Sequence, residues 1–141
     1  MSFVLDASVA LLWLAPETNP SGVDYASATL KALKTSQAIV PSLLALEVAN
    51  VVAKIESKGI VAEADSQRFI ALIGRLNILT DQATAAHALG DTLNLARRYR
   101  LSAYDAAYLE LALRTGFPLA TLDADLAKAA TTAGVPIFAA N

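Results

Sequence analysis

The sequence predicts an α/β domain built on a mostly parallel five-stranded sheet, and three observations lead to this fold class. Short apolar runs alternate along the chain with longer segments in which apolar residues recur at helical spacing. The short runs are apolar at nearly every position, which is typical of strands covered on both faces. Gly59, Gly116 and Gly134 stand where the helical segments are expected to end.

Each predicted strand is a short apolar run, too short for a helix and flanked by turn or helix-capping residues. Pro41 follows the second strand and Pro118 precedes the fourth, so these prolines mark connections of the sheet. In chain order the five predicted strands are residues 3–5, 38–40, 77–79, 119–122 and 136–138.

Seven helices are predicted between the strands, many of them rich in alanine and leucine, which are strong helix formers. In chain order they are residues 7–14, 22–34, 43–57, 62–76, 83–99, 103–115 and 124–133. No linker, repeat or low-complexity segment interrupts the pattern. Residues 1–141 are therefore expected to form a single domain, of the common size of about 100–150 residues.

The composition narrows the function classes. The hydrophobic fraction of 55% and the mean hydropathy of +0.47 are high, so we expect apolar surface to be left for a partner, such as a second copy or another protein. No apolar run approaches the roughly 20 residues of a membrane-spanning helix, and the N-terminus does not resemble a signal peptide. With no cysteine, disulfide and thiolate chemistry are excluded, and a cytoplasmic location is expected.

The net charge of −2 argues against a broadly basic nucleic-acid-binding surface. The one basic cluster comprises Arg97, Arg98 and Arg100. Two interpretations stay open, because cations favour the last turn of a helix and also contact phosphates.

Two aspartates directly follow predicted strands. Asp6 ends the first strand and Asp123 follows the fourth, so both should lie at the carboxyl edge of the sheet, where α/β proteins bind ligands. Each has an alternative interpretation as the N-cap of the next helix, and Asp125 would suit the first turn of that helix.

Asp105 lies near the start of a predicted helix, three residues after Ser102. This spacing loosely matches a capping box, which would leave the carboxylate in an exposed first turn. Glu47 is harder to explain structurally, because apolar residues surround it on its helix and a buried carboxylate needs a partner. A salt bridge to a distant basic residue remains the structural alternative.

Four acids without cysteine, in a chain with one histidine, indicate a hard, oxygen-liganded cation such as Mg²⁺ or Mn²⁺. A carboxylate-bound cation of this kind suits phosphodiester hydrolysis, because it lowers the pKa of a bound water and stabilises the departing oxygen. The residues alone thus predict a magnesium-dependent nuclease.

Four motifs resemble the PIN-domain ribonucleases, in particular the VapC-type toxins of type II toxin–antitoxin systems. They are residues 4–8 (VLDAS), 41–50 (PSLLALEVAN), 101–108 (LSAYDAAY) and 120–125 (ATLDAD). The resemblance spans the chain, and its strength lies in the order and spacing of motifs that are weak singly. It implies a three-layer α/β/α domain with an acidic pocket that holds one or two Mg²⁺ or Mn²⁺ ions.

The resemblance also implies roles for individual residues. Asp6 and Asp105 would be the most direct metal ligands and Asp123 a further one. Glu47 would hold metal-bound water or a second metal. Asp125 would assist or replace Asp123, and Ser8 and Thr121 would orient the carboxylates through their hydroxyl groups.

The implied substrate is single-stranded RNA, often tRNA or rRNA in related toxins, and the implied partner is a cognate antitoxin that occludes the pocket. Helical residues 11–14 and 43–55 are where antitoxin contact is expected, and the same surfaces could instead form a homodimer. Two further functions remain as alternatives: RNA processing outside a toxin–antitoxin pair, and a PIN-fold interaction module without catalysis.

Two other α/β classes fit less well. Hydrolases with an aspartyl nucleophile place Asp-x-Asp after the first strand, where this chain has Asp6-Ala7-Ser8. Receiver domains add a lysine after the fifth strand, and none follows Phe138.

Overall fold

The computed structural model describes residues 1–140, which contain four strands and eight α-helices. The strands are β1 (Ser2–Leu5), β2 (Gln37–Pro41), β3 (Ile78–Asp81) and β4 (Leu119–Ala120). The helices are α1 (Ala7–Ala10), α2 (Val23–Ala32), α3 (Leu44–Ser57), α4 (Glu63–Arg75), α5 (Thr84–His87), α6 (Leu93–Tyr99), α7 (Ala103–Thr115) and α8 (Ala124–Thr132).

The strands form one parallel sheet in the order β3-β2-β1-β4. Val4 of the central strand β1 lies opposite Ile39 of β2 and Leu119 of β4. Phe3, Val4 and Leu5 are fully buried, as expected of a strand covered on both faces. Because all strands run the same way, the residues that follow β1 and β4 lie at one edge of the sheet.

The fold is the three-layer α/β/α arrangement that the resemblance implied. Helix α7 packs across β1, β2 and β4, and its residues 106–112 are all buried. The helix begins at Ser102, whose hydroxyl accepts the backbone N–H of Asp105 at 3.0 Å. It ends at Gly116, which adopts the left-handed conformation (φ +74°) that favours glycine at a helix terminus. The first turn of α7 is thereby fixed at the carboxyl edge.

The prediction of five strands is wrong for the described residues, because residues 136–138 form a single parallel bridge to Leu119 and no strand. Pro136 has no N–H group and contributes only its carbonyl, which accepts the N–H of Leu119 at 2.9 Å. Strand β4 is also shorter than predicted. The N–H groups of Leu122 and Asp123 bond to side-chain hydroxyls and therefore do not extend the sheet.

Two predicted helices are divided in the structure. Residues 7–14 form the one-turn helix α1 followed by a 3₁₀ turn at Leu11–Trp13. Residues 83–99 form α5, a π-helical turn at Ala88–Thr92 and α6. Gly90 lies within the π turn, where the weak helix propensity of glycine permits the departure. Among residues 1–140 no helix is long and apolar enough to cross a membrane.

Candidate active site

Asp6 is the buried centre of the site. It follows β1 directly, and its side chain is only 4% exposed. Although Asp6 stands at the N-cap position of α1, its side chain caps no helix N–H. Instead its Oδ2 accepts hydrogen bonds from the hydroxyls of Ser8 at 2.5 Å and Thr121 at 2.8 Å. The interpretation of Asp6 as a helix cap is therefore wrong.

The two hydroxyls are themselves fixed by backbone donors. Ser8 Oγ accepts the N–H of Leu122 at 3.0 Å, and Thr121 Oγ1 accepts the N–H of Asp123 at 3.0 Å. Each hydroxyl thus accepts one hydrogen bond and donates another to Asp6, which fixes the direction of its proton. The segment after β4 is in this way tied to the carboxylate after β1.

Asp123 is a helix cap that also acts electrostatically on the other acids. Its Oδ1 accepts the N–H of Leu126 at 2.9 Å, so it is the N-cap of α8. Its negative charge also raises the pKa of Asp6 and of Asp105, so it acts electrostatically on both carboxylates. Asp125, in the first turn of α8, acts on Asp105 in the same way.

Asp105 lies in the first turn of α7. Burial, followed by the charges of Asp123 and Asp6, raises its pKa to about 6. The hydrogen bond with Ser102 acts in the opposite direction and is outweighed. Asp105 is therefore held close to acids of two other segments and is not a solvated helix-capping residue.

Glu47 reaches the same region from the first turn of α3. It is half-buried, and the expected apolar enclosure is incomplete, because the adjacent Leu46 is 76% exposed. Burial, and then the charges of Asp6 and Asp105, raise the pKa of Glu47. Glu47 forms no salt bridge with any residue of the described part of the chain. Its Oε1 accepts the hydroxyl of Tyr108 at 2.5 Å.

Tyr108 is a residue of the site that the sequence analysis did not identify. It is fully buried, and burial together with the hydrogen bond to Glu47 raises its pKa. One signal could have identified it: Tyr108 lies three residues after Asp105, on the same side of a helix. A hydroxyl at that position can donate a hydrogen bond to a carboxylate that has no basic partner.

The site has a strongly negative character. Within residues 1–140 no lysine, arginine or histidine nitrogen lies within 4.0 Å of these four carboxylates. The oxygen donors match the preference of hard divalent cations. Burial, and then the negative charge of the neighbouring acids, raises the pKa of Asp6, Glu47 and Asp105, and a bound cation would neutralise that charge. No three acidic or histidine side chains of the described residues converge into a formed metal site. The acids therefore match a divalent cation in the chemistry of their oxygen donors and not in a completed coordination geometry.

A second acidic group lies apart from this site. Arg114 bonds to both carboxylate oxygens of Asp81 (2.7 and 3.1 Å) and to Glu110 at 2.8 Å, and Glu110 is only 5% exposed. The guanidinium lowers the pKa of Asp81. These acids are neutralised within the fold, and the network ties the end of β3 to α7.

The fold and the site together define a class: a parallel α/β protein with a cluster of unneutralised carboxylates at the carboxyl edge of its sheet. The chain belongs to the PIN domain family, whose model matches residues 3–131. It is 30% identical over 128 residues to Ribonuclease VapC3 of Pyrobaculum aerophilum, covering 91% of this chain and 94% of that protein. The resemblance to VapC-type PIN domains is thus confirmed.

Two solved structures share the fold. One is VapBC2 from Rickettsia felis bound to a DNA fragment from their promoter, with a TM-score of 0.67, 17% identity and coverage of 98% of each chain. The other is FitAcB from Neisseria gonorrhoeae, with a TM-score of 0.60, 23% identity and coverage of 99% of this chain and 97% of that one. Both support the three-layer architecture.

Proposed function

We propose that this protein is a Mg²⁺-dependent endoribonuclease, with Mn²⁺ as an alternative ion, and the toxin of a type II toxin–antitoxin pair. One observation carries the enzymatic proposal: a buried Asp6, bound by two hydroxyls, interacts electrostatically with Glu47, Asp105 and Asp123. None of these four acids has a basic partner within residues 1–140. The similarity to a VapC ribonuclease supports RNA as the substrate.

The surroundings of each side chain suit it to a different role: some would bind the cation and others orient its ligands. Asp6, Asp105 and Asp123 would hold the cation, and Asp125 would assist Asp123. When bound, the cation would supply charge to stabilise the phosphodiester and the departing oxygen. Ser8 and Thr121 hold the Asp6 carboxylate in one orientation.

Glu47 is suited to orient or accept the proton of the attacking water, because burial raises its pKa and so makes its carboxylate a stronger base. The Tyr108 hydroxyl occupies Oε1 and leaves the other carboxylate oxygen for this purpose.

The RNA backbone requires positive charge, and residues 97–100 supply it. Arg97, Arg98 and Arg100 are exposed, and none has an acidic partner within 4.0 Å among the described residues. The segment ends two residues before Ser102, which caps the helix that carries Asp105. Phosphates held there would lie on the chain segment that leads into the acidic site.

Apolar surface supports the antitoxin partner. A groove of about 560 Å³ lies between α3 and α4, and among its lining residues are Ala49, Val52, Phe69 and Ile73. Residues 11–14 and 43–55 were the expected contact regions, and α3 contains most of the second. The groove along α3 would accept an apolar segment of the antitoxin. A homodimer and a cytoplasmic location remain expectations.

Cleavage assays test the enzymatic proposal. Purified protein is incubated with single-stranded RNA, structured tRNA or rRNA fragments, or single-stranded DNA, in Mg²⁺, Mn²⁺ or EDTA. Asp6→Asn and Asp105→Asn should abolish cleavage, and Asp24→Asn, at an exposed acid on α2, should not. Cleavage that survives EDTA or both site substitutions would refute the metal-dependent mechanism.

The toxin role is tested by co-expression. A small reading frame beside the gene should encode a protein that co-purifies with this chain and suppresses its cleavage. If no such neighbour exists, or if it neither binds nor inhibits, the solitary RNA-processing alternative is favoured.

A further inference from the structure

A second pocket opens beside the acidic site, where α3 meets the start of α7. It has a volume of about 420 Å³ and is lined by Leu43, Leu46, Glu47, Asn50, Val51 and Tyr104. Within this set Leu43, Leu46, Glu47 and Asn50 recur at helical spacing and so form one face of α3. The opposite wall is the ring of Tyr104.

Tyr104 is unusual for an aromatic side chain because it is 65% exposed. It lies four residues before Tyr108, so both rings lie on the same side of α7. The Tyr108 ring is buried and its hydroxyl bonds to Glu47. The Tyr104 ring extends the same face past the end of the core and adjoins Asp105 in sequence.

We infer that this pocket binds one unpaired nucleobase of the substrate, adjacent to the phosphodiester that is cleaved, with the base stacked on Tyr104. The inference depends on the proposed ribonuclease function and specifies how that site would recognise its RNA. Glu47 provides the spatial link, since it lines the pocket and accepts the hydroxyl of Tyr108, which lies on α7 one turn after Asp105. An occupant of the pocket therefore lies next to the reacting group.

The chemistry of the walls favours a base over an apolar protein side chain. Leu43, Leu46 and Val51 suit the faces of a planar ring. The Asn50 amide can form hydrogen bonds with the edge of a base that is stacked on the ring of Tyr104. An aliphatic side chain would cover this amide without giving it a partner, which is unfavourable. RNA-binding proteins recognise single-stranded bases by this combination of stacking and edge contacts.

The test compares Tyr104→Ala and Tyr104→Phe with Leu89→Ala, a control at a residue that is 89% exposed and does not line the pocket. Short single-stranded RNAs are cleaved in Mg²⁺, and in matched substrates each nucleotide next to the cleaved bond is replaced by an abasic one. Tyr104→Ala should lower kcat/KM by about 10-fold on the intact RNA, the order expected for one stacked base. Tyr104→Phe and Leu89→Ala should lower it by less than about 2-fold.

The abasic substrates decide the interpretation. For one of the abasic positions, kcat/KM of the wild type should fall to the value that Tyr104→Ala has on intact RNA. The same abasic substrate should not lower kcat/KM of Tyr104→Ala any further, since both changes remove the same contact. Independent, additive losses at every position would overturn the inference while leaving the nuclease intact. So would a loss on all substrates accompanied by dissociation of a dimer, because the pocket would then be an interface between copies.

A binding measurement separates this inference from the proposed function. Asp6→Asn protein is mixed with RNA that carries 2-aminopurine beside the cleavage site, and stacking on Tyr104 should quench its fluorescence. In the double variant Asp6→Asn/Tyr104→Ala the quenching should be lost. Quenching that persists in the double variant would overturn the inference. A wild-type protein that cleaves no RNA would instead refute the proposed function, and the base-binding inference with it.

Discussion

Replacing Asp105 by asparagine should stabilise the metal-free protein at neutral pH, because the native carboxylate is held among other negative charges. Burial and the neighbouring acids Asp123 and Asp6 raise its pKa from 3.8 to about 6. The folded state therefore binds the Asp105 proton more tightly than the unfolded state does. Below pH 3.8 the carboxyl is neutral in both states, and its destabilising effect develops as the pH rises through about 6.

The magnitude follows from the size of this shift. A shift of about two pKa units corresponds to roughly 3 kcal/mol, which partial solvent exposure of Asp105 reduces to about 1–2 kcal/mol. Asparagine also loses the favourable interaction of the carboxylate with the α7 dipole, about 0.3–1 kcal/mol. The net expectation is a gain of about 1 kcal/mol in the free energy of unfolding at pH 7.5, or about 4 °C in Tm.

Urea unfolding in EDTA between pH 4 and pH 8 measures this gain. The difference between Asp105→Asn and wild type should be about 1 kcal/mol at pH 7.5 and only a few tenths at pH 4. Asp24→Asn, the matched exposed control, should differ little from wild type at any pH. A less stable Asp105→Asn protein, or a gain of equal size at every pH, would refute the electrostatic reasoning.

Magnesium should reverse the order of stability and make the wild type more stable than Asp105→Asn. At 100 times its dissociation constant, a ligand that binds only the folded state stabilises it by about 2.7 kcal/mol. Wild type should gain this stability in Mg²⁺ at pH 7.5, whereas Asp105→Asn should gain much less. Equal stabilisation of both proteins would contradict a role for Asp105 as a ligand.

Three further perturbations test separate parts of the structure. Tyr108→Phe removes the donor to Glu47 and should lower the free energy of unfolding by about 1.5–2 kcal/mol; no loss in urea unfolding would contradict the importance of this bond. Arg114→Met leaves Glu110 buried without its cation and should lower stability by about 3 kcal/mol, and a loss below about 1 kcal/mol would show that the network is weak. Replacing all three arginines of residues 97–100 by alanine should reduce the slope of log K against log salt for single-stranded RNA by about 2; an unchanged slope would assign them to the helix terminus alone.

The central strand was predictable because its signal is local. Phe3, Val4 and Leu5 form a continuous apolar run, and burial on both faces requires nothing else of them. The predicted strand at 136–138 failed because strand pairing depends on what a segment faces. Here the facing residue is Leu119, and only one bridge forms. The π-helical turn at Ala88–Thr92 could not be predicted either, because the helical spacing of the apolar residues continues through it.

The sequence by itself determined which residues carry the site's charge. Asp6 and Asp123 follow strands whose apolar runs are plain in the chain, and parallel strands bring their carboxyl ends to one edge. The resemblance of the motifs then implied the family and the residues expected to bind metal.

Only the tertiary structure decided how those charges are held. The hydrogen bonds from Tyr108 to Glu47 and from Thr121 to Asp6 join residues that are 61 and 115 positions apart. Periodicity and propensity act over a few residues and cannot specify such pairs, because chain packing creates them. The same packing raises the pKa of Asp105, since burial and the approach of Asp123 and Asp6 exist only in the folded protein.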